Sequence, residues 1–252
     1  MKLRCDFHLH SCLSPCADLG MSPSAIAEAA RAAGLDAVAL TDHNSARNTP
    51  AFAEACRRAG LHAFYGLEVS TVEEVHCIAL FETPDAALAF GATIYDHLPD
   101  FPNIPEKLGD QPVVDADENI LDFEPRYLGS STDIPYSSLP FLVEAAGGLF
   151  WPAHIDRPAS GVLGQLGTLP PESGPILEIT RHNVPEMTAR YGATHTLLTS
   201  SDAHFLPDIA STHTLIDFGD SSFTLPSLRR ALLRRAATPV FHPPVPPSHE
   251  PQ

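Results

Sequence analysis

The segment Asp6-Phe7-His8-Leu9-His10 ends the first apolar run of the chain, which begins at Leu3. On an extended strand residues i and i+2 point to the same side, so His8 and His10 would aim two imidazoles into one space. That is a chelating arrangement for a divalent metal, because imidazole is the commonest protein ligand for zinc and its neighbours. Two ordinary histidines at a strand end would look the same. The choice depends on whether the rest of the chain supplies more ligands.

Outward from this segment the pattern alternates. Ser22-Pro23 suits the start of a helix, with serine as cap and proline in the first helical position, and Gly34 stops it. Leu35–Leu40 is a short apolar run of the kind buried in parallel sheets, and it ends in Thr41-Asp42-His43-Asn44. Thr49-Pro50 opens a second helix that Gly60 closes. A strand over His62–Leu67 ends near Glu68, and a polar turn over Ser70–Glu74 leads into the apolar run Val75–Phe81. Such a hairpin would set Glu68 near His76. Helices are expected at Pro84–Leu98, Ser137–Ala146, Val162–Leu166, Val184–Tyr191 and Leu225–Ala236. Strands are expected at Leu149–Pro152, which delivers His154, at Pro175–Thr180, at Thr194–Thr199, which delivers Asp202 and His204, and at Thr212–Phe218.

The rhythm breaks between Asp100 and Thr132, a stretch rich in Pro, Asp, Glu and Asn. It reads as an insertion, either a lid or a solvated excursion. Residues 1–241 are expected to form one domain. The tail 242–252 holds five prolines and is expected to be extended. Strand alternating with helix implies a parallel sheet or barrel, in which ligands collect at the carboxyl ends of the strands.

Composition narrows the function classes. With 252 residues and 44% hydrophobic content, the chain can bury a sizeable core. Its 15 basic and 31 acidic residues give a net charge of −16, which disfavours long nucleic acid as a partner. Bound divalent ions would offset part of that deficit and could draw in a small phosphate. The odd number of cysteines, without a disulfide spacing, and the lack of a signal-like or membrane-spanning apolar run, point to a cytoplasmic protein. The sequence says nothing of oligomeric state.

Six of the 13 histidines stand at or beside predicted strand ends, namely His8, His10, His43, His76, His154 and His204. Three carboxylates accompany them, Asp42, Glu68 and Asp202. This exceeds the three or four ligands that one zinc needs, so two or three divalent metals with a bridging carboxylate account for the set.

The ordered motifs Asp-x-His-x-His at residues 6–10, Thr41-Asp42-His43, Glu68, His76, Pro152-Ala153-His154 and Asp202-Ala203-His204 resemble those of the PHP (polymerase and histidinol phosphatase) family. The resemblance spans residues 3 to 240. It implies an α/β fold, a distorted (β/α)7 barrel with its metal site at the C-terminal ends of the strands. It also implies a trinuclear centre of zinc, manganese or iron, and phosphoester hydrolysis. By position, His8, His10, Glu68 and Asp202 would hold the first metal, and Glu68, His76 and His154 the second. His43 and His204 would hold the third with one residue of the loop after His10, where Cys16 is favoured over Asp18.

The expected reaction is attack of a metal-activated hydroxide on a small phosphate monoester, a nucleotide or a short oligonucleotide. Asp202 and Asp42 are the catalytic candidates, Asp42 by orienting the attacking water or His43. Arg157 and Arg181 are candidates for the phosphate, with structural salt bridges as their alternative reading. Two rival functions are a metal-dependent hydrolase of another bond, of amidohydrolase type, and a non-catalytic regulatory module. The only lysines, Lys2 and Lys107, are poorly placed to serve as the carboxylated lysine of the first rival.

Overall fold

A computed structural model describes residues 1–219 and 222–241. In chain order the elements are β1 (Lys2–Leu9), α1 (Pro23–Ala32), β2 (Ala37–Leu40), α2 (Thr49–Ala59), β3 (His62–Ser70), β4 (His76–Phe81) and α3 (Pro84–Asp96). They are followed by α4 (Pro105–Leu108), β5 (Pro112–Val114), β6 (Ile120–Phe123), α5 (Leu139–Ala145), β7 (Leu149–Pro152) and α6 (Val162–Leu166). The last are β8 (Ile176–Glu178), α7 (Val184–Tyr191), β9 (Thr196–Leu198), β10 (Thr212–Asp217), α8 (Leu225–Leu233) and β11 (Ala237–Phe241). The predicted caps act as such. Ser22 accepts a hydrogen bond from Ala25 N, and Gly60 ends α2 in the left-handed region at φ 68°.

Seven strands form one curled, half-barrel sheet in the order β11-β10-β1-β2-β3-β4-β7. Its parallel part is confined to β1-β2-β3; β3–β4, β4–β7, β1–β10 and β10–β11 run antiparallel. The parallel sheet or barrel expected from the sequence is therefore corrected to a mixed sheet, while the expected β3–β4 hairpin is present. The cause is local. The turn after Ser70 is too short for a crossover and folds β4 back as a hairpin, so the direction reverses there. A separate parallel pair, β8–β9, lies alongside. It is tied in by Ile155 N donating to Glu178 O at 2.8 Å, and the chain beyond β9 returns to β1 through His10 N donating to Ala203 O at 3.1 Å.

Two further expectations change. β11 adds a strand to those expected, and its Pro239 is tolerated because β11 is an edge strand. The 100–132 segment is exposed along Ile120–Phe123, yet it is anchored to the loops after β2. Asn44 Nδ2 donates to the carbonyls of Leu128 and Ser130 at 2.8 and 2.9 Å, and Val114 N donates to Asn48 Oδ1 at 3.0 Å. Leu13, Leu98, Val113 and Leu128 make a small core beneath it. The insertion thus braces the loop that follows His43. The proline-rich stretch 242–252 lies outside the described residues.

The main core packs α3 and α5 on β3, β4 and β7, with Phe81, Phe90 and Tyr136 buried. At Gly66, two residues before Glu68, an added Cβ would stand 2.2 Å from the Ala79 carbonyl oxygen. Gly66→Ala is therefore expected to destabilise the fold by about 1–3 kcal/mol. The measurement is a lowered urea midpoint with an unchanged slope; a wild-type midpoint would contradict this account of the β3–β4 pairing.

Candidate metal centre

β1, β2, β3, β7 and β9 end, and β4 begins, beside the same point, and side chains on or just beyond these strand ends converge there. Glu68, 1% exposed, lies at the middle. Its Oε1 is approached by His154 Nε2 at 2.9 Å, His76 Nδ1 at 3.0 Å and His8 Nε2 at 3.2 Å. Its Oε2 faces His43 Nδ1 at 3.0 Å and His10 Nε2 at 3.4 Å. Asp202 Oδ1 completes the inner ring, 3.1 Å from His10 Nε2 and 3.3 Å from His8 Nε2. His204 stacks on His10 with ring centroids 4.3 Å apart. Three groups have ligand atoms close enough to share an ion: His8, His10, Glu68 and Asp202; His43, Glu68 and His76; and His10, His43 and His204.

The donor set fits divalent cations. The Nδ1 of His8 bonds Glu178 Oε1 at 2.9 Å, which leaves its Nε2 buried without a hydrogen-bond partner and facing two carboxylate oxygens. A ring nitrogen facing two carboxylates needs positive charge between them, either its own proton or a bound cation. His154 Nδ1 is likewise buried without a partner. Burial holds His10 and His43 well towards the neutral, ligand-competent form, and for His10 the neighbouring His204 and His43 add to the effect. Burial opposes ionisation of Glu68, but His76, His8 and His43 outweigh it and keep its carboxyl well below the usual range. Burial likewise opposes charge on His8, yet Glu178, Glu68 and Asp202 push its pKa well up. All three carboxylates call for a positive partner at this point.

Three of the eight non-glycine residues with positive φ among the described residues stand here. His154 and Asp202 stand at φ 26° and 51°, and Asn44, which follows His43, at 51°. Such conformations cost about 1–3 kcal/mol each and persist where surrounding structure enforces them.

Two buried carboxylates fix the ring orientations. Glu178, 2% exposed, accepts from His8, from His154 N at 3.3 Å and from Trp151 Nε1 at 3.4 Å. Asp42 accepts from Ser11 N at 2.6 Å, Ser11 Oγ at 2.7 Å and Ser14 Oγ at 2.7 Å. Ser14 Oγ in turn accepts from His43 N at 3.1 Å and meets His10 Nδ1 at 3.1 Å. Burial raises Asp42 to about 6, against the lowering effect of the two serines. Ser14 and Glu178 were not singled out from the sequence. Glu178 was detectable as the lone charge in the apolar run Ile176–Ile179, whereas Ser14 carries no distinguishing pattern.

The remaining candidates are placed less centrally. Arg157 donates to Asp202 Oδ2, so the salt-bridge reading applies to it. Arg181 is exposed and makes no ion pair among the described residues. Both line a cavity of about 570 Å³ that opens beside His154, Glu178 and Asp202. Cys16 is exposed, and none of the three close ligand groups includes it. Although the residue as a whole is exposed, the protein around its thiol desolvates it, and this, followed by the charge of Glu68, lifts its pKa to about 12. Asp18 caps its own turn by accepting from Gly20 N at 2.8 Å. Among the described residues no helix is long and apolar enough to cross a membrane.

Comparison with known proteins agrees with this geometry. No curated protein sequence matches the chain. Among solved structures, the lesion-specific endonuclease Q of Pyrococcus furiosus superposes with a TM-score of 0.66 at 18% identity, covering 92% of this chain and 56% of its own. A complex of endonuclease Q with a 27-mer duplex carrying an abasic lesion at its active site gives 0.66 at 17% identity, covering 93% and 57%. The chain thus spans little more than half the length of these two. An amidohydrolase from Chromobacterium violaceum with bound sulfate gives 0.54 at 20% identity, covering 92% and 96%. A protein from Bifidobacterium adolescentis assigned as a metal-dependent phosphoesterase gives 0.52 at 18%, covering 91% and 96%. At these identities the structures establish a shared fold. The PHP domain matches residues 6–149, more than half of the chain and the stretch that carries His8, His10, His43, Glu68 and His76. The chain therefore belongs to the PHP domain family.

Proposed function

We propose that this protein is a metal-dependent phosphoesterase with a trinuclear centre, acting on a small phosphorylated substrate. The family and its structural neighbours support a metal-dependent hydrolase. The observation that carries the finer reading is Glu68, one buried carboxylate with different imidazoles at each of its two oxygens, as a bridging ligand requires. In this reading the first metal takes His8, His10, Glu68 and Asp202, and the second takes Glu68, His76 and His154. The third takes His43 and His204 with Cys16 from the neighbouring loop. Zinc, manganese or ferrous iron suits such nitrogen and oxygen donors, and these ions would supply an activated water and neutralise phosphate charge.

The chain's own groups do the rest. Glu178 and the Asp42–Ser14 pair hold His8 and His10 with Nδ1 engaged and Nε2 directed at the centre. Asp42, fully occupied by two serines, acts as a positioning residue. Arg157 steadies Asp202 and, with Arg181, offers positive charge to the substrate phosphate. The expectation against long nucleic acid does not fit the neighbours, since endonuclease Q holds a DNA duplex on the same fold. A lesion-bearing strand is accordingly retained as a second substrate class. The amidohydrolase neighbour keeps another hydrolysable bond as an outcome to test.

With manganese or zinc supplied, the protein is expected to hydrolyse p-nitrophenyl phosphate. His8→Ala and Asp202→Asn should each lower kcat at least about a hundredfold with an unchanged circular-dichroism spectrum. Near-wild-type turnover in either variant would refute the assignment. Cys16→Ser should reduce the content of one metal of the set and leave the others; full metal content in that variant would return Cys16 to the exposed loop surface.

A further inference from the structure

Two sets of imidazoles meet at Glu68, and they are supported differently. In the first set, the ligand atoms of His8, His10 and Asp202 lie close enough to those of Glu68 to share an ion. Both rings of this set are fully buried and anchored from behind. His8 Nδ1 bonds the buried carboxylate of Glu178 at 2.9 Å. His10 Nδ1 meets Ser14 Oγ at 3.1 Å, and that contact has a fixed direction. An ionised carboxylate only accepts, so Asp42 takes the single hydroxyl proton of Ser14 at 2.7 Å. His43 N fills one lone pair of the same oxygen at 3.1 Å. The other lone pair is left for His10, so the neutral ring carries its proton on Nδ1 and turns a bare Nε2 to the centre.

The second set approaches one oxygen. His154 Nε2 and His76 Nδ1 stand 2.9 and 3.0 Å from Glu68 Oε1. Neither ring is anchored. His154 Nδ1 is buried without a hydrogen-bond partner, and Glu178 reaches this residue only at its backbone N, at 3.3 Å. His76 turns Nδ1 inward, its Nε2 has no partner among the described residues, and its side chain is 22% exposed. A ring held at its second nitrogen is oriented before a metal binds, whereas a free ring loses rotamer freedom on binding. Loss of one such support typically weakens metal binding roughly ten- to a hundredfold. The second set lacks two of them.

We propose that the two positions at Glu68 hold metal unequally: an ion at His8, His10 and Asp202 is resident, whereas one at His76 and His154 exchanges with the medium, so that turnover follows the free concentration of divalent metal. The proposal rests on the multi-metal phosphoesterase reading above. As a test, the metal-replete protein is dialysed at one pH against chelator-buffered zinc of decreasing free concentration, and bound metal is counted by elemental analysis. The wild type should lose its ions in steps. The step that is missing in His76→Ala should lie at a free zinc concentration at least about a hundredfold above that of the last step. Glu178→Gln, which removes the charge behind His8, should move the last step about tenfold towards higher zinc and leave the His76-dependent step in place. Half-maximal turnover of p-nitrophenyl phosphate in the same buffers should coincide with the His76-dependent step. Should Glu178→Gln fail to fold, the wild type and His76→Ala decide the matter alone. The proposal is overturned, and the multi-metal reading stands, if the His76-dependent step lies within about tenfold of the last, if His76→Ala removes the last step, or if it removes none. A replete protein that holds one ion or none places the failure with the multi-metal reading itself.

Discussion

The structure depends on a single buried carboxylate. Glu68 is 1% exposed and has five imidazole nitrogens within 3.4 Å. Such a group is costly to bury without positive charge beside it, so the fold must bring compensating groups from many places at once. It does so by ending β1, β2, β3, β7 and β9 and beginning β4 at one point. The strands differ in direction, yet each is followed or begun there by a histidine, a glutamate or an aspartate. The mixed sheet is compatible with this because what matters is where each strand terminates. The β3–β4 hairpin shows the economy of the arrangement, since it carries Glu68 near the end of one strand and His76 at the start of the next.

Around this carboxylate a frame of uncharged and charged groups sets which nitrogen of each ring faces inward. The Asp42–Ser14–His10 chain and the Glu178–His8 pair both take up Nδ1 and leave Nε2 for the centre. Metal sites commonly owe their ligand orientation to such partners, and losing one typically costs ten- to a hundredfold in affinity or activity. The strained backbones of His154 and Asp202 belong to the same economy. Their positive φ values aim side chains that a relaxed strand end would turn elsewhere. The insertion contributes indirectly, because its bonds to Asn44 and Asn48 hold the loop on which His43 stands.

Much of this was legible in the sequence, and the reasons are physical. Histidines and carboxylates after short apolar runs stand out because such runs are normally followed by turn residues, and the pairs His8/His10 and Asp202/His204 carry the two-residue spacing. The short turn after Ser70 made the antiparallel β4 legible, but the directions of β7 and β10 relative to their neighbours were not, because buried parallel and antiparallel strands have the same apolar composition. Glu178 was overlooked because it stands in the strand rather than beyond it, and Ser14 because its importance lies in three partners distant in sequence. Arg157 could be read as a phosphate ligand or as half of a salt bridge; its bond to Asp202 appears only once the loops after β7 and β9 are side by side. Cys16 lies outside the three close ligand groups, so its proposed part in the third metal rests on the loop it occupies.

The account's central claim is that Glu68 bridges metals. Anomalous diffraction at the absorption edges of zinc, manganese and iron, from crystals of the metal-replete protein, tests it most directly. Two or three separate peaks are predicted, with the two carboxylate oxygens of Glu68 directed at different ones and His8 Nε2 facing one of them. A single peak that Glu68 does not contact, or no peak within the histidine cluster, would contradict it.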